Sequence, residues 1–456
     1  MSESLFDEFA PVTAKQWKQK IQFDLKGADY NSELVWTSDE DIKVKPFYHS
    51  EDLNQTFPKP STKASNFKIC ETIFVDDVSI SNKIALQALN SGAESLQFII
   101  PNQDVSIELL LNNINLDNTS IYIETLFLSQ EYVKQISSNK PYQKLNIKSD
   151  IINNLAKTGN WFYSLKDDFS KFETILQHTN TFSIDTALYQ NAGANCIQQL
   201  AYGLAHLNEY FNHIENSIQK NITETVNVIF TVAMGSNYFF EIAKLRALRL
   251  LFETLQNEYS VNYRLSIFAT ASKRNKGIYD YNTNILRTTT ECMSAVLGGA
   301  DIINNLPYDA VFKKPNAFSS RIARNQLLVL KNESYFDMVD NPADGSYYIE
   351  DLTQQLAEKV LELFKNIETG GGFLKQLKDG TIQRKIKESA RKEQEQFNNG
   401  TKTILGSNKH PNPNDIIKKD LEIYPFVKTK QRKTLIEPII EKRLTEKLEQ
   451  ERLKNE

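Results

Sequence analysis

Chemistry, if this chain performs any, should show first in the stretch SIDTALYQNAGAN at residues 183–195. Its first half alternates and is β-prone, whereas Ala192, Gly193 and Ala194 are small and turn-like and open a long helical segment. A strand end that turns into a helix is where α/β proteins place binding and catalytic groups. The side chains due to face that end are Leu188, Tyr189, Gln190 and Asn191, which include no acid, base or nucleophile of ordinary strength. The corner is shaped like an active site and lacks its reagents.

The remaining reactive residue types do not form a site either. The five histidines make no HxxxH or HExxH pair, and His206 and His213 lie seven apart on one predicted helix, too far to share a metal. Cys70, Cys196 and Cys292 are far apart without a CxxC, which reads as buried thiols in a reducing compartment. No GxSxG elbow occurs. The glycines at 370–372 and the LGG at 297–299 each follow a helical segment, as helix stops do, and no phosphate cradle is expected there. Arg246 and Arg249 stand in an apolar helix, where solvent-facing or helix-pairing roles are expected.

The totals exclude several partners. With 456 residues the chain can bury a large core, and 53 basic against 57 acidic residues give no electrostatic reason to expect nucleic acid or an anionic membrane. No apolar run reaches membrane-spanning length and the first residues lack a signal-peptide core, so a soluble cytoplasmic protein is expected.

Elements that could position such a corner recur along the chain. Eight β-prone runs are predicted at 68–75, 95–100, 121–128, 160–165, 181–188, 226–235, 264–272 and 300–307. Helical segments separate most of them, as where Tyr238, Ile242, Leu245, Leu248, Phe252 and Leu255 share one face. Eight strands alternating with helices predict an α/β fold, a (β/α)8 TIM barrel over residues 61–345, with a doubly wound sheet as the rival. An N-terminal helical and extended arm occupies 1–60 and a C-terminal helical extension 346–456. In the arm, TAKQWKQKIQFDL is predicted helical behind a Thr cap, LVWTSDEDIKVKPFY extended, and PKPSTKASN a linker. Trp17, Ile21, Phe23 and Leu25, followed by Trp36, Phe47 and Tyr48, give the arm an apolar surface expected to bury against a second chain. The last residues, IIEKRLTEKLEQERLKNE, are predicted as a charged helix with Ile440, Leu444 and Leu448 along one stripe.

Five ordered blocks resemble methylmalonyl-CoA mutase: AGANCIQQLAYGLA, FFEIAKLRALRLL, YDYNTNILRTTTECMSAVLGGAD, SSRIARNQ and NPADGSYYIEDLT. The N-terminal PVTAKQWKQKIQFDLKGADY is similar to the arm of the family's small, or β, subunit. The resemblance implies a barrel whose bore takes the coenzyme A chain and whose mouth is capped by adenosylcobalamin, the source of radical chemistry. It also implies where the reagents have gone. Leu188 holds the place of the family's substrate-binding histidine, and Asn191 that of a glutamate that contacts the cofactor ribose. Cys70 and Thr72 stand for an arginine and a tyrosine, and Thr158, next to Lys157, for the arginine that pairs with the substrate carboxylate. Ser266 and Phe268 replace a cation and a histidine. Losing both the fixed cation and the carbonyl donor costs far more than the ~3 kcal/mol of one such contact.

No Asp-x-His-x-x-Gly string occurs, and RKTLIEPIIEKRL looks like the linker before a cobalamin-binding domain, which is expected to be absent. The resemblance therefore implies a non-catalytic small (β) subunit of a heterodimeric methylmalonyl-CoA mutase, the enzyme interconverting methylmalonyl-CoA and succinyl-CoA. No catalytic, cofactor or metal residue is expected in this chain, and adenosylcobalamin belongs to the large (α) subunit. The alternatives are a substrate-binding chain of a split acyl-CoA mutase with a separate cobalamin-binding polypeptide, and a module that holds coenzyme A without turnover.

Overall fold

Ten strands are present in the computed structural model, which describes residues 8–53, 57–60, 62–138, 145–222, 224–428 and 431–456. The first seven residues of the arm and residue 61 of the linker lie outside the described residues. Two strands, β1 (Trp36–Thr37) and β2 (Lys43–Val44), pair antiparallel in the arm. The other eight are β3 (Lys68–Phe74), β4 (Ser95–Ile100), β5 (Ser120–Thr125), β6 (Asn146–Lys148), β7 (Thr181–Asp185), β8 (Val226–Met234), β9 (Tyr263–Ala271) and β10 (Ile302–Asn304). They form one parallel sheet in the order β6-β5-β4-β3-β10-β9-β8-β7. The Ser183 N–H donates to the Ser149 carbonyl at 3.1 Å, drawing β7 against the end of β6 and bringing the sheet round into a (β/α)8 barrel.

Seven of the eight predicted strands are in place, and the fourth is corrected. Residues 160–165 form no strand but lead into the helix Leu165–Thr179, where the Phe162 and Tyr163 N–H groups donate to the Asp168 carboxylate at 2.8 and 3.0 Å. Trp161 packs on Phe169 of that helix. The true fourth strand, β6, has three residues of which only Ile147 is apolar, too weak a pattern to read.

The main core lies between the sheet and the surrounding helices. Arg246 shows which of its two expected roles holds. Fully buried on the helix Tyr238–Gln256, it pairs with Asp344 and Glu350, which leads the helix Tyr347–Thr369 onto the barrel. A buried ion pair of this kind costs about 3–5 kcal/mol when one partner is removed.

The arm and the C-terminal segment both return to the barrel. The arm helix Ala14–Asp24 starts at Thr13, whose side chain and Gln16 cap each other, and it buries none of its residues. The β1–β2 hairpin behaves otherwise. Ile42 is fully buried, the Glu40 carboxylate accepts the Cys196 N–H at 3.2 Å, and Trp36 meets Phe240 edge-on at 5.9 Å. Tyr48 likewise lies against Tyr348. This half of the arm therefore packs on its own barrel, contrary to the expectation that all of it faces a second chain.

The C-terminal helix is also shorter than predicted, Glu446–Lys454. Residues 435–445 instead run across the C-terminal mouth of the barrel as a strap. The Leu435 and Ile436 N–H groups donate to the Gly159 carbonyl, Ile439 to Ala156, Lys442 to Asn191 and Leu444 to Arg274. Those donors are spent on loop carbonyls and are lost to a helix, and Pro438 has none to give. Leu444 is buried with Phe397 and Ile404, while Ile440 stays exposed, so the predicted stripe does not form.

Candidate functional site

Strand alternation sorts the side chains of the barrel into two sets. Ile69, Ile73, Ile121, Ile123, Phe182, Ile184 and Ile267 face the helices and join the main core. Cys70, Tyr122, Ile229, Phe268 and Ile302 face the axis and form a cluster of their own. Tyr122 on β5 and Phe268 on β9 come from opposite walls and meet edge-on, ring centres 5.5 Å apart. Phe268 is 1% and Tyr122 6% exposed. An axial channel would expose both rings, so the bore is closed at this level.

Above this plug the wall turns polar. Gln97 donates to the Glu124 carboxylate at 2.7 Å, and the Lys148 ammonium lies 3.8 Å from the same carboxylate and 4.5 Å above the Phe268 ring. Asp185, at the end of β7, accepts the Ala187 N–H at 2.9 Å. Burial pushes its carboxyl up to about 6, against the pull of Lys148 and Lys157 and with the push of Glu124 and Asp150. Burial likewise pushes the Cys70 thiol up to about 12, and all three cysteines are free and buried, which leaves them poor nucleophiles.

The wholly buried helix Ala187–Ala192 carries the strand-to-helix corner that the sequence marks out. Gly193 ends it at φ +105°, and a Cβ there would stand 2.5 Å from the Ala390 Cβ and 2.9 Å from the Arg274 guanidinium carbon, which accounts for the glycine. Behind the helix, the Tyr189 hydroxyl and His206 Nδ1 are 3.0 Å apart and His206 Nε2 lies 2.9 Å from Asp150 Oδ1. The Asp150 carboxylate can only accept, so Nε2–H donates to it, and in the neutral imidazole Nδ1 is then the acceptor of the Tyr189 hydroxyl. Tyr210 and the N–H groups of Asn153 and Asp185 also donate to Asp150.

Four of the seven positions singled out in the sequence come together in the bore. Cys70 and Thr72 share one side of β3, and Ser266 and Phe268 one side of β9. The buried Thr72 hydroxyl has no hydrogen-bond partner among the described residues. The other three lie elsewhere. Leu188 joins the main core, and Asn191 stands on the rim under the strap. Thr158 ends the helix Ile151–Thr158, its hydroxyl bonded to the Asn154 and Asn160 carbonyls and its own carbonyl to Arg432. Sequence reasoning passed over Tyr122, Lys148 and the strap. Tyr122 could have been found as an inward position of an alternating strand, whereas β6 gave no signal for Lys148. Among the described residues no group of three or more His, Cys, Asp or Glu could hold a metal ion, and no helix is long and apolar enough to cross a membrane.

The sequence profile of the family described as Methylmalonyl-CoA mutase matches residues 102–455. The chain belongs to that family. The methylmalonyl-CoA mutase small subunit of Porphyromonas gingivalis (strain ATCC BAA-308 / W83) is 32% identical, over 90% of this chain and 71% of that protein. A methylmalonyl-CoA mutase of Cereibacter sphaeroides is 28% identical over 86% of this chain and 64% of its own length. The methylmalonyl-CoA mutase large subunit of Propionibacterium freudenreichii subsp. shermanii is 28% identical, covering 81% of this chain and 51% of the subunit. This mutase-family chain thus spans 71% and 64% of the length of the first two relatives.

Proposed function

We propose that this chain is the non-catalytic small subunit of a heterodimeric, adenosylcobalamin-dependent methylmalonyl-CoA mutase, an isomerase acting in the cytoplasm. The observation that carries this reading is the closed bore. An acyl-CoA substrate needs an open axis for its pantetheine chain, and Tyr122 and Phe268 fill that axis at 5.5 Å. The positions due to hold the substrate's carboxylate and thioester carry Thr158 and Leu188, which offer neither a fixed cation nor a proton donor to a reacting carbonyl.

Adenosylcobalamin does not fit the residues at this mouth, because the strap lies across it on the Asn191 and Arg274 carbonyls. We place the cofactor and the reaction in the large subunit. The small subunit's part is then to bury surface against that partner, and the exposed arm helix with Trp17 and Phe23 supports such a contact. Co-expression with a large mutase chain tests this: the two should co-purify one to one, with mutase activity in the large chain or the complex and none in this chain alone. Turnover of methylmalonyl-CoA by the isolated chain would overturn it.

A further inference from the structure

The strap places a carboxylate where the rim of the barrel is built to hold an anion. Asn191 is only 4% exposed, and its Oδ1 accepts the Lys273 N–H at 2.9 Å and lies 3.3 Å from the Ser272 hydroxyl. With the oxygen thus engaged, the amide can present only its N–H outward. That N–H donates to Glu441 Oε1 at 2.9 Å, and the Lys273 ammonium lies 3.8 Å from Oε2. Burial works to raise the Glu441 carboxyl, but Lys273, Lys157 and the Asn191 hydrogen bond outweigh it and hold the group below the usual range. One neutral donor and the Lys273 ammonium therefore converge on one carboxylate supplied by the chain itself. Beside it a cavity of about 250 Å³, lined by Asn191, Lys273, Arg274, Glu441 and Lys442, leaves the place reachable from outside.

We propose that this rim is an anion site for a small carboxylate, filled in cis by Glu441 and open to a free carboxylate once that side chain is withdrawn. The Asn191 amide does not depend on the strap for its placement. It is held by the Lys273 N–H and the Ser272 hydroxyl of the loop after β9, the same loop that carries the Lys273 side chain. A tethered carboxylate competes at an effective concentration in the millimolar range or above, and in this structure Glu441 occupies the site. The strap is in this sense a ligand of the barrel. The site needs no partner chain and stands apart from the subunit reading.

The test is thermal unfolding of the full chain in acetate and in chloride at matched ionic strength. Glu441→Ala should melt lower than the native chain and regain most of the loss as acetate is raised, with saturation, while chloride restores little. The native chain, and Glu437→Ala as a control for an exposed strap glutamate paired with Lys387, should show only the general, non-saturating difference between the two salts. Adding Lys273→Ala to Glu441→Ala should abolish the acetate response. Should the alanine variant not fold, Glu441→Ser carries the same comparison. Equal restoration by chloride and acetate, or an acetate response that survives loss of Lys273, overturns the proposal.

Discussion

Tyr122 and Phe268 touch edge-on across the axis of the barrel at 5.5 Å, the third and seventh strands of the barrel closing its bore between them. The contact turns what would be a conduit into core. Phe268→Ala should cost about 3–5 kcal/mol in urea unfolding, as removing a buried aromatic ring does. A double-mutant cycle with Tyr122→Leu and Phe268→Leu should show a coupling of about 0.5–1.5 kcal/mol. Phe268→Ala should still bind no acyl-CoA in equilibrium dialysis, since Tyr122 and the strap remain. Binding by that single variant would identify the ring as the sole barrier.

The acid at the end of β7 gives the chain a pH dependence of known sign. Asp185 has its folded pKa raised to about 6, whereas a carboxyl in the unfolded chain titrates near 3.9. Between these values the folded state holds a proton that the unfolded state has released. This group's contribution to stability therefore falls as pH rises from about 4 to about 6, by at most about 3 kcal/mol, and stays low above that. Asp185→Asn keeps an oxygen for the Ala187 N–H and removes the penalty. It should be more stable than the native chain at pH 7.5, and the difference should shrink as pH approaches 4. An advantage that does not change with pH would place its origin outside this titration.

The two halves of the arm should behave differently when removed. The helix Ala14–Asp24 leaves Trp17 51% and Phe23 78% exposed, whereas the hairpin after it seals Ile42 and Glu40 onto the helix Cys196–Ser217. Deleting residues 1–28 should change the melting temperature little and weaken co-purification with a large mutase chain at least tenfold. Deleting residues 1–55 should also destabilise the barrel, because it takes Ile42 out of the core and leaves the Cys196 N–H without its acceptor. Unchanged affinity after the shorter deletion would remove the helix from the interface.

The limits of what could be read in the sequence are physical ones. Strands of five or more residues with one face in the core, such as β4 and β8, advertise themselves by composition. β6 is three residues long and carries Lys148 into the bore, and the aromatic run at 160–165 outcompeted it because Trp161 and Phe162 pack on helices, not in a sheet. The strap misled for the opposite reason. Its charged, evenly spaced residues have helical propensity, but tertiary hydrogen bonds to the Ala156, Asn191 and Arg274 carbonyls override it. Cys70, Thr72, Ser266 and Phe268 face the bore because strand alternation turns them inward. Leu188 and Thr158 lie outside the strands, where alternation gives no guide, and they sit in the core and at a helix end.

Asp150 offers the sharpest test of how the rim is held. Its carboxylate receives the His206 ring N–H at 2.9 Å, the Tyr210 hydroxyl at 3.0 Å, and the backbone N–H groups of Asn153 and Asp185 at 2.9 and 3.0 Å. His206 and Tyr210 are fully buried, so no water can replace the acceptor without a rearrangement. The Asn153 bond caps the helix Ile151–Thr158, whose Ala156 and Gly159 carbonyls anchor the strap. Asp150→Ala should thus cost about 3–5 kcal/mol, the range for stranding buried partners of a charge. It should also speed tryptic cleavage after Lys442. Asp150→Asn retains one acceptor oxygen but turns an N–H toward groups that are themselves donors, so it should fall between the alanine variant and the native chain. His206→Phe removes one donor and leaves the cap, and it should lose stability without loosening the strap. If all three variants speed cleavage equally, the strap responds to global stability and not to the helix that Asp150 caps.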